Sequence, residues 1–79
     1  MKAGGAYRMI LTRGGRAPAL FANAARVDHV EVVEIDSGEV VLFWDRRPHE
    51  ATRLARALRE DLAQMDAPEF LARWSTVEG

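Results

Sequence analysis

Val30-Glu31-Val32-Val33-Glu34-Ile35-Asp36-Ser37-Gly38-Glu39-Val40-Val41-Leu42-Phe43-Trp44 is the stretch that decides the fold. Two runs of β-branched and aromatic residues flank Asp36-Ser37-Gly38, residue types that form tight turns, so the stretch reads as an antiparallel hairpin. In the first run the polar phase slips. Strict alternation after Glu31 would place a polar residue at position 33, yet Val33 stands there and Glu34 follows. A β-bulge between Val32 and Val33 would add one residue and restore an inward apolar face. The second run is apolar on both faces, as expected of a strand covered on both sides. A helix can cover one side, and a subunit contact is the expected cover of the other.

Downstream, Asp45-Arg46-Arg47-Pro48 ends the strand, and proline suits a first helical turn. Ala51, Leu54, Ala55, Leu58, Leu62 and Met65 recur at spacings of three and four, the pattern of a long amphipathic helix. Asp66-Ala67-Pro68-Glu69 has the spacing of a capping box and predicts a short second helix. In that helix Phe70, Leu71 and Trp74 share one face.

Upstream, Tyr7, Met9 and Leu11 alternate with Arg8, Ile10 and Thr12, which predicts a strand with one buried face. Gly14-Gly15, between Arg13 and Arg16, suits a two-residue hairpin turn, with residues 17–22 as the return strand. Residues 17–25 also read as a helix, because they are rich in alanine and begin with Pro18 in a first-turn position. Both readings stand. Met1–Gly5 and Ser75–Gly79 are expected to be loose ends. The fold class is α+β: an antiparallel three- to four-stranded meander with a long C-terminal amphipathic helix and a short terminal helix on one face. Residues 1–79 make a single domain.

Composition narrows the function classes. The chain has 79 residues, 48% hydrophobic and 29% charged, which suits a small globular domain and not a disordered one. It has no cysteine, so disulfide and thiolate chemistry are excluded. The start of the chain leads into no apolar secretory region. The longest apolar run, Val40 to Trp44, is too short to span a bilayer, so a soluble, cytoplasmic protein without a membrane partner is expected.

Ten arginines accompany a single lysine in a chain rich in alanine. A GC-rich, bacterial codon usage explains this bias more simply than anion binding does. Residues 1–26 carry Lys2, Arg8, Arg13, Arg16 and Arg26 and no acid, a charge of +5. Residues 27–79 set six arginines against twelve acids, a charge of -6, for a net -1. Such a split can steer an anionic partner to the N-terminal part, or pair the two parts within the fold or across a dimer.

No catalytic, cofactor or metal site is indicated. His29 and His49 stand twenty residues apart without a second ligand at short spacing, and both read as surface residues. Glu31, Glu34 and Asp45 are acids on outward strand positions or at a strand end. Ser37 belongs to a turn, and no nucleophile-elbow spacing occurs. Gly14-Gly15 lacks the spacing of any phosphate-binding loop.

The leading reading is a non-enzymatic interaction or regulatory module that self-associates as a dimer, or meets a protein partner, through Val41, Phe43 and Trp44. Trp44 is the expected exposed anchor, since Trp is enriched at interface hot spots. The second reading is a nucleic-acid or anion binder using Arg8, Arg13, Arg16 and Arg26, disfavoured by a pI near 6.1. The third is a small enzyme or ligand-binding domain with a pocket between sheet and helix.

Overall fold

The computed structural model describes residues 1–14 and 27–77. In chain order these form α1 (Ala3–Ala6), β1 (Tyr7–Thr12), β2 (Asp28–Glu34), β3 (Val40–Arg46), α2 (Pro48–Gln64) and α3 (Ala67–Trp74). The architecture is α+β, a three-stranded antiparallel sheet in the order β1-β2-β3 with helices packed on it. The expected return strand at residues 17–22, and the choice between strand and helix for 17–25, lie outside the described residues. β1 and β2 pair from Tyr7↔Glu34 to Thr12↔His29.

The phase slip at Val33 has a different origin from the one expected. Val32 pairs with Leu42 and Val33 with Val40, so the extra residue is Val41, on β3 and not on β2. Strand β2 keeps its alternation throughout. Val33 therefore turns outward with Arg8, its partner on β1, while Glu34 falls on the Tyr7 side at the strand end. There the carboxylate accepts a 2.7 Å hydrogen bond from Ser37 Oγ and helps to shape the turn.

The turn itself closes with Gly38 N–H donating to Glu34 O at 2.8 Å, and Gly38 has a φ of 75°. Among the described residues it is the one in the left-handed region, where a Cβ is disfavoured. No atom lies within 4 Å of a Cβ added there, so only backbone strain opposes substitution. Gly38→Ala is expected to cost about 1–2 kcal/mol, read as a lower urea midpoint at unchanged m-value. An unchanged midpoint would show that the turn reshapes without cost.

Inward positions of the sheet meet the helices. Val30, Val32 and Trp44 are buried against Ala51, Leu58 and Leu62 of α2 and Phe70 and Trp74 of α3. Both indole N–H groups are satisfied, as buried tryptophans require. Trp44 Nε1 donates to Val77 O at 3.1 Å, and Trp74 Nε1 donates to Asp61 Oδ2 at 3.0 Å. The second bond, with Arg73 Nε 3.6 Å from the same carboxylate oxygen, ties α3 to α2.

The first residues are not loose. Ala3 N–H donates to Met65 O at 2.8 Å, Ala67 N–H donates to Met1 O at 3.0 Å, and Lys2 bridges to Asp66 in antiparallel fashion. Lys2 Nζ also donates to Gln64 O at 3.0 Å, placing a cation on the carbonyl end of α2, where the helix dipole favours it. This pairing takes over a capping role. Asp66 makes no side-chain cap hydrogen bond, so the expected capping box does not form. Residues 75–77 are tied as well, through backbone hydrogen bonds to α3 and the Val77 carbonyl on Trp44.

Candidate functional site

Outward positions of the three strands form a grid, because paired residues on neighbouring strands point to the same side. One row is Thr12, His29 and Asp45. The next is Ile10, Glu31 and Phe43, and the last is Arg8, Val33 and Val40. Phe43 is 48% exposed, Val40 50% and Ile10 39%, and Ile35 at the hairpin turn is 46% exposed. These are large apolar side chains on one sheet face, and the buried residues of α2 and α3 belong to the opposite face. Ile10, Val33 and Ile35 line a depression of about 210 Å³ with Arg8, Glu34 and Gly38.

Of the expected contact residues, Phe43 is on this face. Val41, displaced by the bulge, is half-buried and packs against the core. Trp44 departs from expectation. Alternation along β3 turns it inward, it is 1% exposed, and its ring meets Trp74 edge-on at 6.0 Å. It is a core residue and presents no contact surface.

Of the N-terminal arginines, the two described ones, Arg8 and Arg13, do not share one end of the sheet. Arg8 projects from the open face, whereas Arg13 lies 3.5 Å from Asp28 at the opposite end of β1. Asp28 is fully buried and accepts the Gly14 N–H at 3.1 Å, so it joins the end of β1 to the start of β2. Gly14 has its own reason to be glycine. A Cβ there would come to 1.9 Å of the Val27 carbonyl oxygen, so the residue serves a close backbone approach and not a turn with positive φ. Arg16 and Arg26 lie outside the described residues.

One arrangement escaped the sequence reading. His29 Nδ1–H donates to Asp45 Oδ1 across the β2–β3 pair, and the Phe43 ring stacks on the imidazole with centroids 5.6 Å apart. An acceptor carboxylate fixes the tautomer and leaves Nε2 free for another contact. Only the strand register, which pairs His29 with Asp45, could have exposed this. Thr12 completes the row without a hydrogen bond to His29. The depression lies toward the Arg8 end of the sheet, away from this histidine.

Among the described residues no group of three metal-ligating side chains converges. No helix among them is long and apolar enough to cross a membrane. Comparison with family models, curated proteins and solved structures finds no match.

Proposed function

We propose that this chain is a non-enzymatic interaction module that self-associates through its open sheet face. The observation that carries the reading is the set of half-exposed apolar residues Ile10, Ile35, Val40 and Phe43 around Val33. Burial of such side chains favours association by roughly 25 cal/mol per Å² of apolar surface. The charges on the face fit a second copy. A two-fold axis between the two apolar rows, perpendicular to the strands, sets Phe43 over Val40 of the second copy. The same operation sets Glu31 over Val33 of the second copy, one strand away from its Arg8, twice by symmetry.

Size sets the expected strength. Three strands about 4.8 Å apart and six residues at about 3.4 Å each make a face of roughly 15 by 20 Å. That is small beside the ~800 Å² per partner of a standard interface. A dimer with a dissociation constant near the micromolar range, dependent on protein concentration, is expected.

Sedimentation velocity across a wide concentration range tests this. Phe43→Glu is expected to raise the dissociation constant by at least about thirtyfold, the effect of losing one hot-spot side chain, since the symmetric dimer loses it twice. Arg8→Glu should weaken the dimer, and Arg8→Glu combined with Glu31→Arg should recover it. A wild-type chain that stays monomeric, or a dimer indifferent to Phe43→Glu, would remove the proposed interface. Retention on an immobilised polyanion at low salt, lost on charge reversal of Arg13 and Arg16, would favour the nucleic-acid reading instead.

A further inference from the structure

A second depression, of about 270 Å³, lies where β1, α1 and α2 meet, lined by Gly4, Tyr7, Arg8, Met9, Ile35, Arg59 and Leu62. Its charge is one-sided. Arg8 comes from β1 and Arg59 from α2, and no carboxylate is among the lining residues. Neither guanidinium has an ion pair with a described carboxylate, although the chain carries twelve acids. Both arginines are exposed and unpaired with any described carboxylate, so an anion in the depression would lie near two positive charges. Guanidinium groups also match the planar fork of a carboxylate or phosphate.

The remaining wall is apolar, with the Met9, Ile35 and Leu62 side chains and the Tyr7 ring, which stacks on Phe70 beneath. A bare inorganic anion would leave that wall wet. We infer that the depression is a binding site for a small organic anion, an oxyanion head held by Arg8 and Arg59 with an apolar body against Met9, Ile35 and Leu62. At roughly 30 Å³ per water-sized group, the space takes on the order of ten non-hydrogen atoms. The site lies mostly beside the open face and needs no second copy. Arg8 stands between the two, so an anion here would compete with Glu31 of a second copy for the same guanidinium.

The test is a titration of isotope-labelled protein followed by amide chemical shifts, with hexanoate, 1-hexanol and inorganic phosphate as probes. It is run on wild type and on Phe43→Glu, so that self-association does not enter. Hexanoate is expected to shift Gly4, Tyr7, Met9 and Leu62 saturably, and to bind about tenfold or more tightly than either of the other probes. Arg59→Gln, an exposed change without a packing role, should weaken hexanoate by a similar factor, and Arg8→Gln should do the same. Equal binding of 1-hexanol would remove the charge recognition, and equal binding of phosphate would remove the apolar body. Shifts confined to Ile10, Val33 and Phe43, or no saturable shifts at all, would overturn the site.

Discussion

Trp44→Ala is expected to be the most destabilising single substitution in the core, and to act without involving any interface. Truncating a buried aromatic to alanine costs about 3–5 kcal/mol through lost transfer energy and the cavity left behind. Trp44 is among the largest fully buried side chains, and it also holds Val77 through its indole N–H and Trp74 through ring contact. A domain of 79 residues has about 4–12 kcal/mol in total. The loss therefore takes about a quarter or more of its stability, a fall in Tm on the order of 20 °C. Trp44→Phe keeps most of the volume and should cost much less. Thermal unfolding by circular dichroism at several protein concentrations checks this. A Trp44→Ala variant with normal Tm but a weakened dimer would make Trp44 a contact residue after all.

The two tryptophan readings differ by one residue of phase, and that sets how far the sequence could be read. The hairpin over residues 30–44 was legible because β-branched runs and Gly38 each act locally. Which side of β3 faces the core was not, because both faces are apolar and the displaced Val41 shifts the pairing below it. The slip at Val33 predicts a bulge on β2, but β2 alternates without one and the extra residue, Val41, lies on β3. A register of that kind follows from partner strands and not from one strand's pattern.

The ends of the chain show the same limit. Nothing in the residue types of Met1–Gly5 marks them as tied down, because their partners are the backbone groups of Met65 and Ala67. Hydrogen bonds between main chains leave little trace in composition. The candidate sites divide similarly. Phe43 was legible as an outward apolar residue, whereas Arg59 reads as one more solvated residue on α2. Only the packing of α2 across β1 brings it to the depression that Arg8 also lines.

Gly14→Ala should be the other severe substitution, and its mechanism is purely steric. The Gly14 backbone is not in the left-handed region, so alanine meets no φ penalty there. The added Cβ would stand 1.9 Å from Val27 O, a contact that no side-chain rotation can relieve because the obstacle is main chain. Either the 13–14 segment or the entry to β2 must move. Movement breaks the 3.1 Å hydrogen bond from Gly14 N–H to Asp28 Oδ1 and strains the Arg13 contact to the same carboxylate. Asp28 is fully buried, and a buried carboxylate that loses a donor costs about 1.5–3 kcal/mol. With the displaced backbone added, about 2–4 kcal/mol is expected, against a total of about 4–12 kcal/mol for a domain of this size. Urea unfolding of Gly14→Ala, alone and with Asp28→Asn, separates the two causes. If the carboxylate carries the effect, Asp28→Asn should account for part of the loss, and the double variant should cost less than the two singles summed. A wild-type midpoint for Gly14→Ala would show instead that the segment beyond β1 moves aside freely and does not fix the start of β2.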